Sequence, residues 1–374
     1  MESVAEQFPT PDALEPEPFL AVPEPPQRSL AHRIFIGPFG LRAGWSLLIY
    51  FAILAAIVFS VQAIHNYNKN QAHQAAVAAA KAAGKTSPAD SVKPDPHAPM
   101  PVGEAVEEEG ISFAVILVVS LIMAVIERRR FTAYGLGGQR PAGRFLVGAV
   151  WGVAALSLLV GTLRALHLVS FDAQLDHGWQ IFGWGGAQLI GFLFVGLLEE
   201  YLFRGYLQFT LTRGLVGLAN LISRPHARSI AFWMATVITS GLFFLAHTGN
   251  TGEDKLGLLL VFLAGVSFVV ALWRTGSLWW AIGFHMAWDW SQSFLYGVPD
   301  SGLIVQGRLF ATHAMGNPLL SGGADGPEGS VFCIPILLLV IAVLFLFTRP
   351  SPQPALETRS GIEPPIQQPV TLEA

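Results

Sequence analysis

The sequence has little charge and almost no cysteine. Of its 374 residues only 13% are Asp, Glu, Lys or Arg, whereas 52% are hydrophobic, and the mean hydropathy is +0.50. Soluble globular chains carry about 25% charged residues, so the composition excludes an ordinary soluble domain and indicates a polytopic membrane protein. The net charge of −4 is small for this length and is spread over tails and loops, so we expect no nucleic-acid partner. The single cysteine, Cys333, excludes an internal disulfide.

Long apolar runs recur along the chain at spacings that suit helices crossing a bilayer. About twenty residues at a rise of 1.5 Å span the roughly 30 Å of hydrocarbon in a membrane. We therefore predict an all-α polytopic membrane protein with about eight transmembrane helices and a buried polar site. The predicted spans are 45–64, 111–126, 145–163, a fourth from 181 through 204, 230–247, 256–273, 278–295 and 331–347.

The segments outside these spans differ from them in composition. Residues 1–43 begin with acidic, proline-rich sequence that cannot bury enough apolar surface to fold, and they lack a signal-peptide stretch. We predict that these residues and 349–374 are disordered tails on either side of a transmembrane domain at 44–348. Within that domain, 66–110 is expected to be an extramembrane loop with an alanine-rich helical part. The Gly- and Pro-rich loop at 297–330 is expected to be irregular.

The distribution of arginine predicts the orientation of the chain in a plasma or inner membrane. Loops on the cytosolic side carry an excess of Lys and Arg near the span ends. With both termini in the cytosol, only Arg164, Arg308 and the lysines fall on the opposite side. The arginines on the cytosolic side are Arg28, Arg33, Arg42, Arg128, Arg129, Arg130, Arg140, Arg144, Arg213, Arg224, Arg228, Arg274 and Arg349.

Two carboxylates and a guanidinium interrupt the apolar run at 197–205. A charge near the centre of a bilayer helix costs roughly 2.5 to 3.5 kcal/mol on insertion scales, so such residues usually face a polar cavity. On a helix, Glu200 and Arg204 are four residues apart in the order that favours an ion pair. Glu199 is rotated by about 100° from its neighbour, so it lacks that partner and is the candidate general base. The alternative is one structural charge cluster at the end of the fourth span.

Two further polar groups lie downstream in apolar surroundings. His247 follows Phe243 at the end of the fifth span, and His285 and Asp289 share one face of the seventh. At this spacing the aspartate can orient the imidazole, or both can face a common cavity. Each group also has a structural interpretation, since a lone histidine can lie at the membrane interface and the seventh-span pair can be internal to its helix.

Hydropathy places the acid and the first histidine at different depths. Glu199 is near the inner end of the fourth span, and His247 is near the outer end of the fifth. The two meet if the fourth helix runs on to about residue 211, or if the segment 248–255 dips inward to line a cavity. A shared site requires one of these departures from ideal spans.

Together these residues resemble the three motifs of the CPBP intramembrane proteases, which include the type II CAAX prenyl endopeptidases and bacteriocin-processing relatives. The family pattern is Glu-Glu-x-x-x-Arg, then Phe-x-x-x-His, then His-x-x-x-Asn or a close variant. The resemblance covers residues 181–297 and keeps the family's order. The matching residues are Glu199, Glu200 and Arg204, then Phe243 and His247, then His285 and Asp289.

The resemblance implies that these residues catalyse peptide-bond hydrolysis, and it implies two ways of doing so. In one, the two histidines and a carboxylate, Glu199 or Asp289, hold zinc, which activates water. In the other, Glu199 and His247 activate water without metal, and the last motif stabilises the oxyanion. Asp289 stands where Asn is usual, and an ionised carboxylate cannot donate a hydrogen bond to an oxyanion. This difference favours Asp289 as a metal ligand, together with His247 and His285, or a protonated Asp289.

By resemblance, the protein is expected to be an intramembrane endopeptidase whose partners are membrane lipid and a membrane-associated peptide or protein. The resemblance implies lipidated C-termini or secreted peptide precursors as substrates, and the residues select neither. The same polar cluster also fits a proton-coupled transporter or a non-catalytic membrane scaffold. Against transport, the motifs are not repeated in the first half of the chain, although many transporters contain internal repeats.

Overall fold

The computed structural model describes residues 29–82, 99–250, 252 and 254–348, and these are mainly helical. Among the described residues, six helices are long and apolar enough to cross a membrane. The all-α polytopic prediction is therefore confirmed. These six are α2 (Ala43–Ala82), α3 (Val102–Glu127), α4 (Pro141–Ala165), the continuous helix Gln180–Ile222, α7 (Ala227–His247) and α8 (Lys255–Thr275).

Two shorter apolar helices occupy the positions of the predicted seventh and eighth spans. Helix α9 (Trp279–Trp290) is prolonged by a π-helical segment, Ser291–Leu295, and α11 covers Cys333–Phe347. All eight predicted spans are thus helical, but these two fall short of the length that a span on its own requires.

The ends of the first two spans differ from the prediction. Helix α2 continues for 40 residues to Ala82, because its alanine-rich second half has high helix propensity. Helix α3 already begins at Val102, directly after Pro101 and with Glu104 in its first turn, where a negative charge favours the helix dipole. The predicted extramembrane loop 66–110 is therefore largely helical in its described parts.

The predicted tails lie mostly outside the described residues. Residues 1–28 and 349–374 are not described. The described end of the first tail is ordered, which corrects the prediction for that part: it forms a short helix, α1 (Leu30–Phe35), and a small hairpin, β1 (Ile36–Gly37) with β2 (Gly40–Leu41). The side chain of Arg129 donates a hydrogen bond of 2.7 Å to the hairpin carbonyl of Phe39.

The fourth helix is longer than the sequence indicates. It runs for 43 residues from Gln180 to Ile222 and consists of α5 (Gln180–Glu199), a π-helical segment (Glu200–Leu207) and α6 (Gln208–Ile222). The two glutamates consequently lie near its midpoint rather than at one end. The fourth helix thus extends beyond the predicted end at about residue 211. Glu199 and His247 are therefore no longer separated in depth, as the hydropathy pattern had suggested.

Glycines bring α4 and α9 into backbone contact. A Cβ at Gly148 would overlap the carbonyl oxygen of Trp280, and a Cβ at Gly283 would overlap the carbonyl oxygen of Phe145. Small residues at such crossings let two membrane helices approach closely. This contact fixes the position of α9, the helix that carries the last motif.

The two ends of the helix bundle are closed by different structures. At one end, the cap segment (residues 297–330) contains strand β4 (Phe310–Ala314), which pairs antiparallel with β3 (Val169–Gln174), so the predicted irregular loop is partly ordered. The described segment also contains helix α10 (Pro318–Ser321). Gln188 of α5 donates hydrogen bonds to two carbonyl oxygens of this segment, at 2.9 and 3.0 Å.

At the opposite end, an ion cluster joins three elements. Arg213 of α6 contacts Glu127 at 2.6 Å, and Tyr134 donates a hydrogen bond of 3.0 Å to the same carboxylate. Arg213 also donates to Ser46 of α2 at 2.7 Å. These buried contacts tie α6 to the start of α2 and the end of α3.

Candidate active site

Three helices bring the predicted polar residues to one cavity of about 290 Å³. Glu199 is the last residue of α5, His247 is the last residue of α7, and α9 contributes both His285 and Asp289. All four residues line the cavity. Its walls also include apolar side chains of α8, so the site is a polar pocket within an apolar bundle.

Glu200 and Arg204 form a fully buried ion pair beside this cavity. Arg204 Nη1 lies 2.9 Å from Glu200 Oε1, and the two side chains are 1% and 0% exposed. The guanidinium carbon lies 4.0 Å from the centre of the Phe243 ring, at cation–π distance. A Cβ at Gly265 would lie 3.1 Å from Arg204 Nη2, so the glycine leaves room for the guanidinium.

His285 bridges the buried ion pair and the cavity. Its Nδ1 lies 3.0 Å from Glu200 Oε1, and its ring stacks on Phe268 at 5.0 Å between centres. Its Nε2 faces two carboxylates, at 3.4 Å from Asp289 Oδ2 and 3.6 Å from Glu199 Oε2. Glu200 fixes the ring orientation, so that Nε2 points to the carboxylates that line the cavity.

The contacts of His285 restrict where protons can lie on its ring and on the neighbouring acids. A carboxylate oxygen accepts a hydrogen bond, so Nδ1 carries a proton and donates a hydrogen bond to Glu200. A bare Nε2 would then present its lone pair to the oxygens of Glu199 and Asp289. The arrangement is favourable when Nε2 is also protonated, or when one of these acids is neutral and donates to it.

The two adjacent glutamates have different environments. Glu200 is buried and neutralised by Arg204, whereas the side chain of Glu199 is 20% exposed and lines the cavity. This is the arrangement that the i, i+4 spacing predicts for the ion pair. Glu199 is therefore the carboxylate that a water molecule in the cavity can reach.

His247 reaches the cavity independently of the other polar residues. Its Nδ1 lies 2.9 Å from the carbonyl oxygen of Phe243. Because a carbonyl only accepts hydrogen bonds, Nδ1 carries a proton, and in the neutral ring Nε2 then has the lone pair. Among the described residues, no hydrogen bond or ion pair joins His247 to the acids of the site.

The fit of a metal ion depends on whether several ligands converge. Over the described ranges, no group of three or more His, Cys, Asp or Glu side chains is arranged to hold a metal ion. The predicted zinc ligands His247, His285 and Glu199 border the same cavity without forming such a set. Zinc binding stays a prediction.

The structure adds acidic residues that sequence analysis did not single out. Glu109 of α3 and both Asp300 and Glu328 of the cap segment line the cavity. The sequence signal for them is weak, because all three lie in segments that were interpreted as loops. Burial, together with the nearby carboxylates of Glu328 and Glu199, raises the pKa of Asp300 well above its ordinary value.

Comparison with known proteins identifies the same part of the chain as a domain of a protease family. Residues 185–291 match the family model described as type II CAAX prenyl endopeptidase Rce1-like. No curated protein and no solved structure matches the chain. The matched residues contain all three motifs, and the match supports an intramembrane endopeptidase of the CAAX type in general terms. The chain thus carries an Rce1-like domain of the type II CAAX prenyl endopeptidases, which confirms the predicted CPBP family.

Proposed function

We propose that this protein is an intramembrane endopeptidase that hydrolyses a peptide bond of a membrane-associated peptide or protein, with Glu199 as the general base. The observation that carries this proposal is the contrast between the two glutamates. One is locked in a buried ion pair, while the other lines a cavity beside two histidines. A carboxylate that lines such a cavity, outside the buried ion pair, suits proton abstraction from water.

The proposed reaction begins with a water molecule between Glu199 and the substrate carbonyl. Glu199 accepts a proton from the water while the oxygen forms a bond to the carbonyl carbon. The carbonyl π electrons move to oxygen and give a tetrahedral oxyanion. Collapse of this intermediate breaks the carbon–nitrogen bond, and Glu199 returns the proton to the departing amine. His247 Nε2, with its lone pair, is suited to accept a second hydrogen bond from the water.

The proposed oxyanion donors are on α9. The hydrogen bond to Glu200 holds the His285 ring in place. The protonated Nε2 of that ring can then donate a hydrogen bond to a developing negative charge. Asp289 can do the same only while its carboxyl is protonated. Arg204 balances the charge of Glu200 and thereby keeps that carboxylate as an acceptor for the imidazole.

A single substitution tests the role of Glu199. Glu199→Gln protein, purified and returned to lipid, should remain folded and lose at least about 100-fold in the rate of peptide cleavage, the usual contribution of a general base. Glu104→Gln makes the same chemical change at an exposed position of α3 and should cleave at the wild-type rate. Equal rates for the two variants would reject the assignment.

The same preparation distinguishes the alternatives. A transporter would drive proton-coupled flux into sealed vesicles without cleaving any membrane peptide offered. A scaffold would show neither flux nor cleavage. The family match favours neither alternative.

A further inference from the structure

Most arginines in the described residues lie at one end of the helix bundle. This end, here called the basic end, contains arginines that follow α3, begin α4, connect α6 to α7 and close α8. Contacts at this end include Arg213 to Glu127 and Arg274 Nη2 to the Phe345 carbonyl at 3.1 Å. The arginines of the basic end are Arg42, Arg128, Arg129, Arg130, Arg140, Arg144, Arg213, Arg224, Arg228 and Arg274.

The cavity reaches the other end of the same helices. Helix α3 places Glu109 in its first third, on the cavity, and ends at the basic end. Helix α7 begins at the basic end, and Asn250, just beyond its last turn, lines the cavity. Helix α8 lines the cavity with Gly257 near its start and carries Arg274 in its last turn. In each of these three helices, the residues that line the cavity lie towards the end that is opposite the basic end.

The cap segment gives the same orientation. Ser301, Leu303 and Glu328 line the cavity, and Glu328 accepts a hydrogen bond of 2.6 Å from the Ser301 backbone nitrogen. The backbone of Met100, just before α3, pairs with this segment through Ile304 at 2.8 Å. The mouth of the cavity is thus built from segments at the end opposite the basic end.

Arginine in short loops remains on the cytosolic side during membrane insertion. The basic end is therefore the cytosolic end. We propose that the cavity opens on the non-cytosolic side, so the substrate is a peptide segment of a membrane-associated protein that is exposed outside the cytosol. The statement about the substrate rests on the proposed endopeptidase activity, whereas the orientation of the cavity does not. A prenylated C-terminus that stays in the cytosol would face the opposite side of the membrane.

Cysteine labelling tests the orientation without requiring activity. In a Cys333→Ala background, Leu303→Cys places a thiol at the cavity mouth, where Leu303 is 47% exposed. His226→Cys places one on the exposed connection at the basic end. In intact cells with the protein in the plasma membrane, a membrane-impermeant maleimide should label Leu303→Cys and should label His226→Cys only after permeabilisation. The reverse pattern would overturn the proposal.

Paired cleavage reporters test the side on which the substrate is cut. One reporter presents a set of peptide sequences next to a single transmembrane helix outside the cytosol, and the other presents the same set inside. Cleavage should occur only outside and should be lost in Glu199→Gln. Cleavage only inside would overturn this inference while leaving the proposed function intact. Outward labelling with cleavage of neither reporter would reject the proposed function, and the substrate assignment with it.

Discussion

The buried ion pair between Glu200 and Arg204 leads to a quantitative prediction about stability. Arg204→Met replaces the guanidinium with an apolar side chain and leaves the Glu200 carboxylate without its strongest partner in a site that is 0% exposed. Removing one partner of a buried pair costs about 3 to 5 kcal/mol. We expect a loss near the lower limit, because the His285 imidazole, 3.0 Å from Glu200 Oε1, still compensates part of the charge.

An exposed pair of similar geometry is the matched control. Asp172 and His313 approach to 2.7 Å, but their side chains are 45% and 58% exposed. Such surface pairs contribute about 0 to 1 kcal/mol, so Asp172→Asn should have little effect on stability. Equilibrium unfolding in mixed micelles compares the two variants directly. Equal losses would refute the argument that burial, rather than distance, sets the contribution of the pair.

A double substitution separates the ion pair from simple packing. Arg204→Met combined with Glu200→Gln removes both charges, so no uncompensated charge remains in the bundle. The double variant should be less destabilised than the sum of its single variants, by an amount typical of coupled neighbours, about 0.5 to 3 kcal/mol. Strict additivity would indicate that the two residues act independently.

Further predictions concern the oxyanion donors, the metal and the cap segment. Asp289→Asn supplies a permanent hydrogen-bond donor, so the cleavage rate of this variant should persist at high pH. In the wild-type protein the aspartate is ionised at high pH, and its cleavage rate should fall by about 100-fold, the usual cost of a lost oxyanion donor. Parallel pH–rate profiles of the two proteins would contradict the donor role. If His247 and His285 bind zinc, chelation should abolish cleavage and zinc should restore it, whereas full activity in a verified metal-free sample would exclude a metal requirement. Because the pKa of Asp300 is raised in the folded state, the folded protein binds more protons than the unfolded chain between the two pKa values, and stability falls as pH rises through that window. Asp300→Asn should therefore raise the Tm by a few degrees at pH 7 but not near pH 3, and an equal effect at both values would refute this linkage.

The helices and the site differ in how far the sequence predicts them. The eight apolar runs predict helices because their length and composition leave no other way to satisfy backbone hydrogen bonds in lipid. The residues at which these helices begin and end are harder to predict from the sequence. The alanine-rich sequence from Gln71 to Ala82 continues α2 beyond its strongly apolar run. Hydropathy reports where apolar residues stop rather than where helical hydrogen bonding stops.

The site itself was predictable only in part. The spacing of Glu200 and Arg204 predicts their contact, since it depends on one helix alone. The cavity residues Glu109 and Asp300 depend on how distant segments pack, which no local pattern records. The π-helical geometry at Glu200–Leu207 also lacks a local signal, although such segments occur frequently at functional sites.

The glycine crossing of α4 and α9 has a consequence for how this protein tolerates mutation. Gly148 and Gly283 contribute no chemistry, yet any larger side chain at either position meets a neighbouring backbone that cannot rotate away. The imidazole of His285 is only two residues from Gly283, so pushing the helices apart would shift that ring relative to its acids. Sequence variation at these two glycines should therefore be as restricted as variation at the polar residues of the cavity.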